Sequence, residues 1–198
     1  MEVSEEFLAR SDIIDWHKGE IKELAASLAE GLYLPEEVAR QCFQWVRDEI
    51  KHSVDYQMNP VTCRATDVLK YKTGFCYAKS HLLAALLRAN GIPAGFCYQR
   101  LTVDGEGTPY CLHGLNAVWL KGIGWYRIDA RGNREGIDAR FMPPVEKLAF
   151  EVLWEGEENL PQILAQPLPV VVEALSKYET WDRLLAYLPD IDREKDKI

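Results

Sequence analysis

Thr73-Gly74-Phe75-Cys76-Tyr77-Ala78-Lys79-Ser80-His81-Leu82-Leu83-Ala84-Ala85-Leu86-Leu87-Arg88-Ala89-Asn90-Gly91-Ile92-Pro93 reads as one helix with both ends marked. Ala78, Leu82, Ala85, Leu86 and Ala89 form an apolar stripe at helical spacing. Asn90-Gly91 followed by Pro93 is a stop signal. The start falls at Cys76, two residues after Gly74, where a glycine is expected to permit a sharp turn and a close approach of a substrate. A thiol attacks carbonyls well only as the thiolate, and the free N–H groups and dipole of a helix N-terminus favour that form.

Upstream, residues 12–30 carry a helical pattern ending near Gly31, and a second helix follows Pro35, with Val38, Cys42, Trp45, Val46 and Ile50 in phase and Glu36 and Glu37 in the first turn. The stretch from His52 to Thr73 reads mainly as loop. Downstream, Phe96 to Val103, Leu112 to Leu120 and Trp125 to Ala130 are β-rich runs separated by Asp104-Gly105 and Gly122-Ile123-Gly124. A proline-rich tail leads to a helical end, Val170 to Leu188. Helices first and a meander of strands afterwards predict an α+β fold, in which N-terminal helices and the Cys76 helix pack on an antiparallel sheet. The 198 residues suit a single domain, 1–198, with an extension from about residue 140.

Composition narrows the function. At 47% hydrophobic residues the chain has the makeup of a folded domain. A net charge of -8 repels a phosphate backbone, which argues against nucleic acid as a partner. No segment reaches the ~20 apolar residues a membrane-spanning helix needs, and the acidic start, Met1 to Glu6, lacks the marks of a signal peptide. The expectation is a cytoplasmic protein without a membrane partner, whose five irregularly spaced cysteines are free thiols.

A cysteine nucleophile needs a proton carrier. His113 shares a strand face with Leu115, Ala117 and Trp119; Asp129 shares one with Trp125 and Arg127 on the next run. If the Gly122 region turns the chain, both residues lie toward the open end of a hairpin. A tight loop on Gly122-Ile123 would place Asp129 opposite Asn116, so a shifted loop or a bulge must bring it to His113. An aspartate there would orient the imidazole and favour its charged form. Each residue also has a plain structural reading: Cys76 as a small buried hydrophobe, His113 as a satisfied core histidine, Asp129 as a strand-end turn residue. Among the other histidines, His17 sits amid acids, His52 lies near Asp55 and either serves a site or caps a loop, and His81 points to a different helix face from Cys76.

The Thr73 to Cys76 stretch, the Leu82 to Pro93 run, His113-Gly114-Leu115-Asn116-Ala117-Val118 and Gly124-Trp125-Tyr126-Arg127-Ile128-Asp129 together resemble the transglutaminase-like superfamily. The resemblance covers about residues 38–133. It implies a papain-like Cys-His-Asp core of the bacterial single-domain type, with Cys76 as nucleophile, His113 as base and Asp129 as orienting acid. It also implies an oxyanion hole that pairs the cysteine N–H with an upstream side-chain donor, for which Gln57 and Tyr56 are the candidates. Leu115 departs from the tryptophan that many relatives carry two positions after the histidine.

The implied activity is that of a cysteine protease, amidase or acyltransferase acting on a peptide or amide through a Cys76 thioester, with no cofactor and no metal. Three rivals remain. One is acyl transfer of the arylamine acetyltransferase type, for which no phosphate-cradling glycine loop is present. The second is a non-catalytic protein-binding module. The third is a metal site from Cys97, Cys111 and His113, which lacks a Cys-x-x-Cys pair.

Overall fold

The computed structural model describes residues 3–105 and 107–191, and the helix that begins at Cys76 lies at its centre. In chain order the elements are a 3-10 turn (Glu5–Leu8), α1 (Gly19–Ala29), α2 (Pro35–Glu49), β1 (Lys51–His52), α3 (Ser53–Tyr56), α4 (Ala65–Tyr71), β2 (Thr73–Gly74) and α5 (Cys76–Ala89). Then come β3 (Ala94–Thr102), β4 (Tyr110–Leu120), β5 (Gly124–Ile128), β6 (Arg140–Met142), β7 (Val145–Lys147), β8 (Glu158–Asn159), α6 (Pro169–Lys177) and α7 (Trp181–Leu185). The fold is α+β. The main sheet has the order β5-β4-β3-β8 with antiparallel neighbours throughout. α1, α2 and α4 pack around α5, which lies against β3 and β4.

The apolar stripe of α5 understates its burial, since every residue from Cys76 to Arg88 is buried. A helix enclosed on all sides must satisfy its polar side chains internally. Lys79 Nζ donates to the carbonyls of Arg47 and Ile50 at the end of α2. The Arg88 guanidinium donates to the carbonyls of Ala9, Ala94 and Ala165, joining three distant segments. Burial sets the cost of these groups: it pushes Lys79 down to about 7, with Arg131 adding to the effect, and Arg88 down to about 10.

Three expectations need correction. The stretch from His52 to Thr73 contains a helix, α4, whose seven residues are too few to reveal a period. Its first turn is held by a residue far away in sequence: Asp15 accepts from Thr66 N at 3.1 Å and from Thr66 Oγ1 at 2.6 Å. α1 begins at Gly19 rather than near residue 12, with Lys18 in extended backbone as its N-cap. The helical end is also two helices, α6 and α7, with Tyr178 at the C-cap of the first in extended backbone.

The extension is built into the same core. Val171, Ala174, Leu175 and Leu184 are buried in the hydrophobic cluster that holds α5. Leu164 exchanges backbone hydrogen bonds with Phe96 of β3 at 2.7 and 2.9 Å. Among the described residues no helix is long and apolar enough to cross a membrane.

Candidate active site

Cys76 is the first residue of α5 and Phe75, in extended backbone, is its N-cap. The chain enters along β2, which pairs in parallel with β1 and sets His52 beside Gly74. Ser53 Oγ lies 3.1 Å from Thr73 Oγ1, and Thr62 Oγ1 donates to Thr73 O at 2.9 Å, so the approach to Cys76 is tied on both sides. Gly74 serves packing rather than a turn. Its backbone is not in the left-handed region, and a Cβ there would meet Ala78 Cβ at 3.1 Å and Thr62 Oγ1 at 3.2 Å.

The helix start is pinned to β4. Tyr77 donates its hydroxyl to Leu112 O, Asn116 Nδ2 donates to Ser80 O at 3.0 Å, and Gly114 N points to Cys76 Sγ at 3.5 Å. Gly114 permits this approach, because a Cβ on it would stand 2.9 Å from Tyr77 Cδ1 and 3.2 Å from Tyr77 Cα.

The β4-β5 register settles how His113 meets Asp129. Asn116 pairs with Ile128 and Leu120 with Gly124, which leaves a three-residue loop, Lys121 to Ile123. Compared with a loop on Gly122-Ile123, this advances β5 by one residue. Such a slip moves side chains to the opposite face. The register continues Asp129 to Leu115, on the His113 face, instead of to Asn116. His113 Nε2 then lies 2.7 Å from Asp129 Oδ2. Cys76 is the second hydrogen-bond partner of the imidazole.

Both partners are buried, and their mutual attraction outweighs the cost. Burial disfavours charge on His113, but Asp129 and Cys76 overcome it and raise the imidazole to about 10. Burial likewise opposes charge on Asp129. The imidazole, Ala149 N at 3.0 Å and Arg131 N at 3.1 Å overcome it and hold the carboxyl below its ordinary value. The Phe150 ring stands edge-on to the imidazole at 4.9 Å and 90°. Ala149 and Phe150 belong to the extension, and nothing local in the sequence marks them as site residues.

Cys76 and His113 line a cleft of about 620 Å³ together with His52, Leu101, Cys111 and Arg131. Arg131 is held by Asp55 through two bonds of 2.6 and 2.9 Å. His52 is kept neutral first by burial and then by the nearby Arg131, Lys79 and His113. Tyr56 and Gln57 do not line this cleft. Tyr56 is 57% exposed and faces a neighbouring cavity, and Gln57 is exposed in the left-handed conformation at the end of α3. The structure thus does not place these two expected oxyanion donors among the residues that line the cleft with Cys76. His81, on the far side of α5, bonds to Cys63 O through Nδ1. Among the described residues no group of three or more His, Cys, Asp or Glu is placed to hold a metal ion, and Cys97 packs instead in an apolar cluster with Leu115 and Ala117.

Residues 22–130, more than half of the chain, match the family model described as the transglutaminase-like superfamily. The chain belongs to the transglutaminase-like superfamily. Its helix-borne cysteine, its strand-borne histidine and the acid after the next strand all lie within the matched span. A crystal structure described as a "putative cysteine protease" from Cytophaga hutchinsonii is 21% identical, with a TM-score of 0.50 over 63% of this chain and 40% of that one. The periplasmic domain of TgpA from Pseudomonas aeruginosa is 22% identical, with a TM-score of 0.45 over 57% of this chain and 42% of that one. The first of these likenesses supports the transglutaminase-like fold. The chain spans about two fifths of the length of either protein. No curated protein matches it.

Proposed function

We propose that this protein is a cysteine-dependent amide hydrolase or acyltransferase. Cys76 is the nucleophile, His113 the proton carrier and Asp129 the residue that orients and charges the imidazole. The observation that carries the reading is the His113–Asp129 contact of 2.7 Å, with Cys76 as a further hydrogen-bond partner of the same imidazole. Cys76 Sγ attacks the acyl carbonyl, and a tetrahedral oxyanion forms beside the free N–H groups of the α5 start. Collapse breaks the C–N bond. The leaving amine takes the imidazolium proton from His113, and a thioester remains. Water or an amine then attacks the thioester and gives its proton to His113; the C–S bond breaks, freeing the acid or the new amide and restoring the Cys76 thiolate beside the imidazolium.

Asp129 keeps His113 able to donate a proton. Because the imidazole stays charged up to about 10, the alkaline fall of turnover is expected near that value rather than near the ordinary histidine range. Within this reading water or a small amine, rather than a lysine on a large protein, is the acceptor, and it reaches the thioester through the partly open cleft of about 620 Å³ beside Cys76.

The test is turnover of peptide amides by Cys76→Ala, His113→Ala and Asp129→Asn. Each of the first two is expected to lose on the order of 10²-fold or more. Asp129→Asn should lose less, with an alkaline limb moved toward neutral pH. The losses should be far from additive. Full activity in folded His113→Ala would sink the assignment.

A further inference from the structure

We infer that the cleft selects acyl donors carrying a bulky apolar side chain beside the reacting carbonyl, and that Leu153 and Trp154 form the receiving subsite. This rests on the Cys76 reading above and names the substrate class of that site. The rim of the Cys76 cleft carries Leu153 at 71% exposure, Trp154 at 44%, Val103 at 41% and Leu185 at 39%. Large apolar side chains gathered at one exposed place mark a binding surface more than a random surface does.

The rim is also held in place. Glu157 Oε2 accepts from Leu153 N at 2.9 Å and Trp154 N at 3.1 Å, and its Oε1 accepts from Thr102 N and Thr102 Oγ1, each at 2.9 Å. These backbone bonds lower Glu157 below its ordinary value despite the opposing desolvation. One carboxylate thus fastens the turn that presents Leu153 and Trp154 to the end of β3. The subsite is prebuilt, which reduces the ordering cost of binding.

Charge in the cleft points the same way. Arg131 and Arg134 face Asp55, at 2.6 and 3.5 Å. Asp138 faces Arg140 at 2.9 Å, and Lys147 faces Glu151 at 3.9 Å. Among the described lining residues Arg131, Arg134, Asp138, Lys147 and Glu151 each have an ion-pair partner, so a charged substrate group would compete with an existing contact. An apolar group meets only the apolar rim. The stretch 192–197 that follows Ile191 is charged at every position, chemistry unlike that of the rim.

The experiment is alkylation of the full chain by the chloromethyl ketones of N-acetylated leucine, phenylalanine, glycine, aspartate and lysine, which carry the side chain on the acyl side of the reacting carbonyl. Labelling of Cys76 is followed by peptide mass spectrometry. The leucyl and phenylalanyl reagents are expected to react roughly tenfold faster than the other three, with saturation at lower concentration. Leu153→Ser and Trp154→Ser, both exposed and expected to keep the melting temperature, should lose that preference. Equal rates across the five reagents, or a preference for aspartyl or lysyl, overturns the inference. Iodoacetamide, which carries no flanking side chain, reports on Cys76 alone. If it labels Cys76 while the series shows no preference, the subsite fails and the nucleophile stands. If it labels another thiol first, the nucleophile fails and the subsite with it.

Discussion

At the scale of single residues, five cysteines of one chain have five different surroundings. Burial pushes Cys42, Cys97 and Cys111 up to about 12 and Cys63 up to about 11. Cys76 is the thiol that has both a helix start and an imidazole partner. Limiting iodoacetamide at neutral pH should label Cys76 first and leave the other four largely unmodified. Faster labelling of Cys97 or Cys111 in native protein would contradict this. The position of Cys76 at a helix start was legible from Gly74 before it and the apolar stripe after it. His52, by contrast, was legible only as a histidine near Asp55 that either serves a site or caps a loop, and the β1-β2 pairing sets it beside Gly74 at the cleft.

At the scale of elements, two close approaches hold the site together. Gly114 lets β4 meet the α5 start. Gly114→Ala should cost about 1–3 kcal/mol through overpacking, since the obstacle includes Tyr77 backbone as well as its ring. Melting temperature and Cys76 labelling rate should fall together, and a variant with neither changed would show the contact to be soft. Phe150 covers the imidazole from the extension, and its carbonyl accepts from Gln99 Nε2 at 3.2 Å. Phe150→Ala should lower kcat about tenfold with a smaller change in KM, and should move the alkaline limb toward neutral pH as water reaches the ion pair. An unaltered pH profile would reduce Phe150 to a packing role. Strands β3, β4 and β5 were legible from alternation and turn residues, whereas α4 depends on a cap supplied by Asp15, which no local window contains.

At the scale of the whole molecule, pH acts through the buried histidines. Burial holds His81 down to about 4, against an ordinary value of 6.5. As pH falls from 6.5 toward 4 the unfolded chain takes up a proton that the native state refuses, so stability drops, by about 3 kcal/mol for this residue. His113 acts in the other direction. Its raised value contributes stability that is complete below 6.5 and is lost as pH rises through about 10, while the lowered Asp129 contributes above its ordinary value and loses it in acid. Denaturant midpoints should therefore be highest near neutral pH, and His81→Leu should flatten the fall between 6.5 and 4. An unchanged slope in that variant would assign the acid lability to other groups, His52 first among them.

The sequence by itself determined the α+β class, the central helix with Cys76 at its start, the three main strands and the transglutaminase-like likeness, because periodicity, glycine stops and turn residues act over a few neighbouring positions. Only the tertiary structure decided what depends on residues far apart. The three-residue loop places Asp129 on the His113 face, since one step of register inverts a strand. Tyr56 and Gln57, at the end of α3, stay outside the lining of the Cys76 cleft. The extension from about residue 140 returns to give Asp129 a backbone donor and His113 an aromatic cover, because a buried ion pair needs its remaining hydrogen bonds from whatever segment the fold brings to it.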